Sequence, residues 1–303
     1  MNATMVWMGW DPGAGVMREL EGRAESLAGT FNTQNVANTL WAYATMGREP
    51  GEDLMRGLEG RTESLAGTFN EQEVANTLWV YATMWREPGE GLMRGLEGRA
   101  EALAGTFTAQ HVANTLWSAC VFALLGASDS ELRWVNTVVQ RLVSLDEASF
   151  NSADLRQLHQ FFLSCSVEKR LAVEAIKDMR SLKETCRLAF EGAKTAPSAT
   201  QQQVSETLCR MGLSVEDEVH CPKSGYSIDM LVSSVHSSAL EIGGERSSKG
   251  GSWAVEFDGP SHFLASGAPT SATLLKRRHL RLLGHTLVSV PYLEWDRCLN
   301  PKP

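Results

Sequence analysis

The sequence predicts an α-solenoid of helical-hairpin repeats followed by a small α/β domain. The hexapeptide VANTLW at residues 36–41 returns at 74–79 and at 112–117. A phenylalanine precedes each copy at one constant spacing (69 − 31 = 107 − 69 = 38 residues). Strict self-similarity at such a period is typical of stacked helical repeats. After residue 197, short β-rich runs alternate with helical segments, which is the pattern of an α/β domain.

Each repeat unit is predicted to contain two helices. Asn32, Asn70 and Thr108 can cap the first helix, and Glu73 stands three residues after Asn70, as a capping box requires. In the first complete unit this helix should end near Met46, before Gly47. The second helix should run from about residue 51 to 67.

A degraded fourth unit begins at Phe150, with its second helix within residues 167–191. The predicted domains are therefore repeats at 1–165, a helical connector at 166–196 and an α/β domain at 197–303. Met1 aligns with Thr39 of the next unit, so the first unit is partial. We therefore expect further sequence upstream, where a targeting segment would lie.

Helical spacing separates an apolar face of the first helix from a polar one. The predicted core residues are Val36, Leu40, Val74, Leu78, Val112 and Leu116. On the opposite face one asparagine stays constant, and two neighbouring positions vary as Asn35/Glu73/His111 and Ala42/Val80/Ser118. This face would suit a reader of one nucleotide per repeat, or an asparagine ladder that satisfies backbone groups between units. The predicted RNA contacts are Asn35, Asn38, Glu73, Asn76, His111, Asn114 and Ser118.

The units resemble octotricopeptide repeats, the 38-residue helical pairs of organellar RNA-processing factors. The resemblance covers roughly residues 1–165. It implies that the array binds RNA. It rests on Phe31, Asn32, Gln34, Ala37, Asn38, Leu40, Trp41, Ala42 and Ala44 with their copies.

The C-terminal part is predicted to have the order α-β-β-β-α-β. The helices are expected at 200–211 and 270–283, and the strands at 213–219, 227–232, 253–258 and 286–290, with a terminal helix after them. A polar, glycine-rich loop is expected at 243–252. This order predicts a small mixed sheet with helices packed on it.

Three carboxylates are predicted to gather at one edge of this sheet. Glu256 and Asp258 are two residues apart on one strand and therefore project from the same face. Asp229 on a neighbouring strand can join them, and His262 follows after a turn. Such a cluster could hold Mg²⁺, which prefers oxygen ligands and can activate water. Alternatively, the carboxylates pair with the domain's own arginines, such as Arg277 or Arg281.

The helix that follows is basic. Arg277, Arg278 and Arg281 are predicted to project to one side, either as a solvated face or as an RNA contact. Its apolar side, with Leu275, Leu282 and Leu283, should face the sheet. Lys276 lies near the apolar edge and should reach the strand ends.

The C-terminal segments resemble a RAP domain, the RNA-binding module of organellar and apicomplexan proteins. The matching segments are VEFDGPSHF at 255–263, LLKRR at 274–278 and VSVPY at 288–292. RAP domains are similar to PD-(D/E)XK nucleases, so the resemblance implies a restriction-endonuclease-like αβββαβ core. It also implies catalytic roles for Asp229, Glu256, Asp258 and His262. Because Asp258 stands where those nucleases have lysine, Lys276 would have to supply the cation.

Repeats followed by a RAP domain are similar to FAST kinase-domain proteins and to algal factors that stabilise, process or help translate organellar transcripts. The resemblance therefore implies single-stranded organellar RNA as the partner, in a mitochondrion or a chloroplast, and no required cofactor. Two alternatives stay open. One is a Mg²⁺-dependent endoribonuclease guided by its repeats. The other is a scaffold that binds the ribosome or RNA-processing proteins.

Composition narrows the class of partner. The net charge of −8 confines any phosphate contact to a local basic surface. No window approaches the roughly 20 apolar residues that cross a membrane, so no membrane partner is expected. The six cysteines show neither a C-x-x-C pair nor zinc spacing and should be reduced thiols.

Overall fold

A computed structural model describes residues 13–128, 132–168, 174–193, 196–234, 241–242, 245–246 and 252–299. The chain forms two compact units. The first comprises Met1–Cys186 with Leu264–Ser271, and the second comprises Arg187–Phe263 with Ala272–Pro303.

The N-terminal unit consists of stacked helices, as predicted. The helices are α1 (Gly13–Leu27), α2 (Thr33–Thr45), α3 (Glu52–Leu65), α4 (Glu71–Thr83), α5 (Glu90–Leu103), α6 (Ala109–Leu125), α7 (Val135–Ser144), α8 (Ser152–Glu168) and α9 (Arg180–Glu191). The first helices of successive repeats, α2, α4, α6 and α8, contact one another in order, and α1, α3, α5 and α7 form a second row. Helices α8 and α9 lie where the degraded fourth unit was predicted, and the boundary between the two compact units falls within α9, after Cys186. The predicted partial first unit begins in residues 1–12, which lie outside the described residues.

Apolar burial between the units follows the repeat. All six predicted core residues are buried: Val36, Leu40, Val74, Leu78, Val112 and Leu116. The predicted caps are also confirmed, because the side chains of Asn32, Asn70 and Thr108 each accept a hydrogen bond from the third residue of the helix that follows. The repeat sequence therefore encodes both the start of each first helix and its buried face.

A row of arginines also ties each second helix to the start of its own unit. Nε of Arg61 donates to the carbonyl oxygen of Phe31 at 2.6 Å, Arg99 does the same to Phe69 at 2.6 Å, and Arg141 bonds that of Phe107 at 2.9 Å. The sequence did not predict these bonds. The carbonyl groups belong to the phenylalanines that set the repeat spacing, so each arginine holds the second helix of a unit against the residue that precedes its first helix.

The C-terminal unit combines a small sheet with helices. Its elements are α10 (Ala199–Arg210), β1 (Leu213–His220), β2 (Ser227–Ser234), β3 (Glu241–Ile242), β4 (Glu245–Arg246), β5 (Ser252–Asp258), α11 (Ser271–Leu282), β6 (Thr286–Pro291) and α12 (Tyr292–Leu299). Four strands form a mixed sheet in the order β1-β2-β5-β6. The first two pairings are antiparallel, and β5 pairs with β6 in parallel, with α11 between them in sequence. A small hairpin, β3–β4, partly overlaps the predicted loop at 243–252, whose remaining residues up to 251 lie outside the described part.

The two faces of this sheet differ in chemistry. Trp253, Val255 and Phe257 of β5 belong to one apolar cluster with Val204 of α10, and Trp295 of α12 packs against it. The alternate residues Glu256 and Asp258 point to the other face, because successive side chains of a strand alternate. That second face meets α11 through Lys276 and Arg277.

Candidate functional site

Two of the three predicted carboxylates are buried on the charged face of the sheet. Glu256 is 2% exposed and Asp258 is 1% exposed, whereas Asp229 is half-buried. Met230 pairs with Val255 across the β2–β5 ladder, so the preceding residue, Asp229, stands across from Glu256 on the same face. A side-chain oxygen of Asp229 accepts a hydrogen bond from the Phe257 N–H at 2.8 Å. The predicted gathering of the three carboxylates is thus confirmed.

Both oxygens of Asp258 are engaged. Arg277 donates to Oδ2 at 2.5 Å, Ser289 of β6 also donates to Oδ2, and Nδ1 of His262 lies 3.0 Å from Oδ1. Arg277 bonds the Ser289 hydroxyl as well, at 2.7 Å. Burial alone would raise the pKa of Asp258, but the hydrogen bonds from His262, Ser289 and Arg277 and the charge of Arg277 lower it. Asp258 is therefore held as a carboxylate.

Glu256 has a different environment. Lys276 donates to its Oε2, whereas Oε1 is buried without a hydrogen-bond partner among the described residues. Burial raises the pKa of Glu256 to about 7, and the charge of Lys276 offsets only part of this rise. Burial likewise raises the pKa of Asp229, against the opposing effect of Lys276. Neighbouring carboxylates of one face thus differ in their affinity for protons.

The structure assembles the predicted catalytic set but corrects the predicted basic face. Arg277 does not join an exposed row, because Asp258 and Ser289 hold it inward and its side chain is 13% exposed. Of the two arginines named as alternative partners, Arg277 forms the pair, and Arg281 is exposed. Arg278 is half-buried. Lys276 reaches the strand as predicted.

The apolar side of α11 also differs from the prediction. Leu275 is buried as expected, but Leu282 is 46% exposed. Leu280 and His279 are buried instead. The His279 ring is accommodated because its Nδ1 lies 3.1 Å from the Tyr226 hydroxyl. An apolar-periodicity argument misses this position, since it assigns histidine to the polar side.

The repeat positions predicted to read RNA do not form one exposed row. The side chains at the first variable position each accept a hydrogen bond from the backbone N–H of the capping residue. These side chains belong to Asn35, Glu73 and His111. These residues occupy the third position of a helix, where a polar side chain folds back onto the cap. At the second variable position Val80 and Ser118 are buried.

The constant asparagine also changes its environment along the array. Asn38 is exposed, Asn76 is half-buried and Asn114 is buried. The Ser118 hydroxyl donates to the Asn114 carbonyl oxygen at 2.7 Å, inside the stack. Of the seven predicted contacts, Asn35 and Asn38 alone are classed as exposed. A uniform reading surface is therefore not present at these positions.

Ser289 is the site residue that the sequence did not predict. It pairs in register with Glu256 across the parallel β5–β6 ladder and holds both Asp258 and Arg277. The sequence contained a signal for this role, because Ser289 is a polar residue between the apolar residues Val288 and Val290, at a position that alternation places on the inner face of the strand.

The carboxylates do not fit a divalent metal ion. Within the described ranges, no group of three or more histidine, cysteine, aspartate or glutamate side chains is arranged to hold one. Mg²⁺ needs several oxygen ligands at close range, yet those of Asp258 and Oε2 of Glu256 already bind protein donors. The cluster is better described as a buried network of ion pairs.

Comparison with known protein families identifies the C-terminal part. The RAP domain model matches residues 255–302, from the second half of β5 onward, and so includes α11, β6 and α12. The chain therefore carries a RAP domain at its C-terminus. No curated protein matches the chain. The octotricopeptide identity of the repeats stays a prediction.

In the part of the chain that the structure describes, no helix is long and apolar enough to cross a membrane.

Proposed function

We propose that this protein binds single-stranded RNA through its RAP domain and acts in the processing, stability or translation of transcripts in a mitochondrion or a plastid. The RAP match at 255–302 carries the proposal, because it points to RNA. The organellar role is supported by the resemblance of the repeats to octotricopeptide units. Imaging of the tagged protein in cells tests the location.

Of the three arginines of α11, Arg281 is the one best placed to contact phosphate. It is exposed, whereas Arg277 on the preceding turn is held by Asp258. Guanidinium groups bind phosphate oxygens in two-bonded geometry, and such contacts make affinity depend on salt. An exposed arginine on a helix whose inner side is fixed by ion pairs can make such a contact without rearrangement.

The test measures binding of the full chain to labelled single-stranded RNA across a salt titration. Arg281→Ala should weaken binding and reduce the salt slope by about 1, and Arg281→Glu should weaken it further. Arg94→Ala is the matched control, because Arg94 is an exposed arginine of the array with 72% side-chain exposure. Equal losses for Arg94→Ala and Arg281→Ala would contradict a local contact on α11.

A protein-binding role for the array is the second candidate, and charge favours it. Residues 13–128 contain 14 acidic side chains, 8 arginines and no lysine, for a balance of 8 − 14 = −6. Surfaces that follow a nucleic-acid backbone are usually positive. The capped and buried state of most predicted reading positions adds to this argument. In this arrangement the array docks a protein partner while the RAP domain contacts RNA.

RNA binding by Asn38 and Asn76 variants separates the two roles of the array. If the array serves as a scaffold, Asn38→Ala with Asn76→Ala should leave RNA affinity and sequence preference unchanged. A change in base preference with an unchanged unfolding midpoint would instead show that the array reads RNA.

A further inference from the structure

Two cationic side chains of α11, Lys276 and Arg277, form ion pairs with the buried carboxylates Glu256 and Asp258. We infer that Lys276 and Arg277 are built-in counter-ions that keep divalent cations out of this cluster, and that Lys276 alone closes a latent cation site between Asp229 and Glu256. The inference goes beyond RNA binding, on which it does not depend. It predicts that the wild-type domain folds without divalent ions.

The need for positive charge follows from the cluster itself. Asp229, Glu256 and Asp258 come from two adjacent strands and share one face of the sheet, where Glu256 and Asp258 are buried and Asp229 is half-buried. Neighbouring like charges repel, and a buried carboxylate therefore needs a counter-charge or a proton. A divalent cation can meet this need, and so can two monovalent side chains. Here Lys276 and Arg277 supply two positive charges from one helix.

The two cations close different parts of the cluster. Arg277 joins Ser289 and His262 around Asp258, so several donors hold that carboxylate. Among the described residues, the Lys276 ammonium group is the one donor to the Glu256 side chain, on Oε2. Loss of Arg277 therefore leaves Asp258 with two other donors, whereas loss of Lys276 exposes Glu256 to its neighbour Asp229.

The latent site has an unused acceptor. Oε1 of Glu256 is buried and has no hydrogen-bond partner among the described residues. Asp229 stands opposite Glu256 across the β2–β5 strand pair, and the charge of Lys276 acts on the pKa of both carboxyl groups. Lys276 is a compact point charge with 20% of its side chain exposed, so its removal opens a path from solvent to these oxygens. Mg²⁺ or Mn²⁺ could then bind two carboxylates and keep several waters.

The test compares the full-length wild type with Lys276→Ala, in EDTA and in excess Mn²⁺, by unfolding midpoint and by electron paramagnetic resonance of free Mn²⁺. Wild type should show no shift and no bound Mn²⁺. Lys276→Ala should unfold at a lower temperature in EDTA, bind one Mn²⁺ and regain stability. Lys276→Ala/Glu256→Gln should not bind the ion. Lys177→Ala is the matched control, because Lys177 pairs with Glu174 on the surface with 68% exposure.

Two results would overturn the inference: Mn²⁺ bound by wild type and lost in Glu256→Gln, or a folded Lys276→Ala that binds none. If Lys276→Ala does not fold in EDTA, refolding on addition of Mn²⁺ supports the inference and failure to refold opposes it. Lys276→Met removes the charge but keeps the side-chain volume, so it should lose stability without binding Mn²⁺. Equal Mn²⁺ binding by Lys276→Met and Lys276→Ala would contradict a site that opens only when the side chain is removed. Wild-type RNA affinity measured in EDTA at matched ionic strength is a separate readout, so failure to bind RNA would contradict the proposed function and leave the cation result standing.

Discussion

The two faces of the sheet in the C-terminal unit both contain buried side chains, but they are held by different forces. On one face Trp253, Val255 and Phe257 pack against apolar side chains. On the other, Glu256 and Asp258 meet Lys276 and Arg277. Apolar contacts are non-directional and tolerate substitution of similar volume. Buried ion pairs depend on the identity of each partner, since the desolvation cost is offset only when both charges are present.

This difference shows why the second face is a functional candidate. A network that costs desolvation energy and contains a carboxyl group with a pKa near 7 is not needed merely to close a core. It fixes α11 by its inner side, and this leaves Arg281 on the outer side for a partner. The ion pairs thus position the helix that we propose to bind RNA.

The largest effect is expected from breaking one ion pair on the charged face. Lys276→Met should lower the free energy of unfolding by about 3–5 kcal/mol, because Glu256 is left buried without its counter-charge. Glu256→Gln in the same chain should recover much of this loss. Urea unfolding of the two variants measures both effects. Equal stability of Lys276→Met and wild type would mean that the Lys276–Glu256 ion pair does not contribute to the free energy of unfolding.

A somewhat smaller effect is expected from pH. The folded-state pKa of Glu256 is raised from 4.5 to about 7, so the folded protein binds the proton more tightly than the unfolded chain. The contribution of Glu256 is therefore most favourable below about pH 4.5 and is lost as pH rises through 7. The loss amounts to roughly 3 kcal/mol.

The stability difference between wild type and Glu256→Gln, followed from pH 4.5 to 8, isolates this titration. The variant should become relatively more stable with rising pH. A pH-independent difference would show that the Glu256 pKa is the same in both states. Asp258 acts in the opposite direction, since its pKa is lowered and its stabilisation disappears only as pH falls below the ordinary value.

The apolar face should tolerate a change that the charged face does not. Met230 is fully buried in the apolar cluster. Met230→Leu should cost less than about 1.5 kcal/mol, because volume and polarity are kept. Urea unfolding of Arg277→Lys provides the comparison, since lysine cannot reproduce the guanidinium bonds to both Asp258 and Ser289. A larger loss for Met230→Leu than for Arg277→Lys would reverse the proposed difference between the faces.

The same contrast explains what the sequence could predict. Repeat spacing, caps and alternation depend on local rules. They correctly predicted the stacked helices, the order of α10, β1, β2, β5, α11 and β6 along the chain, and the placement of Asp229, Glu256 and Asp258 on one face of the sheet. The inward position of Arg277 depends on Ser289, which joins the site only when β6 pairs with β5. The burial of His279 depends on Tyr226, far away in sequence. Local patterns carry no information about such partners.

The array shows the same limit of local reasoning. Glu73 fits the capping box that its sequence indicates, and that role removes it from the predicted reading surface. The sequence supported both roles, and the structure supports the local one. Arg61 and Arg99 gave no signal beyond their recurrence at the repeat spacing, because a main-chain carbonyl acceptor 30 residues away has no sequence signature.

The smallest effect on stability is expected at Arg281. Variants of Arg281 and Arg277 compare the outer and inner sides of α11 directly. The two arginines stand one turn apart on α11, but only Arg277 faces the buried carboxylates. Arg281→Ala should change the free energy of unfolding by no more than about 0.5 kcal/mol, as is usual for exposed substitutions. Its RNA affinity should nevertheless fall. Arg277→Ala should show the reverse order, with a clear loss of stability and a loss of RNA binding only in proportion to unfolding. Measuring urea unfolding and RNA binding on both variants under the same salt separates the roles, since a stability loss at Arg281 equal to that at Arg277 would mean that both arginines belong to the buried network.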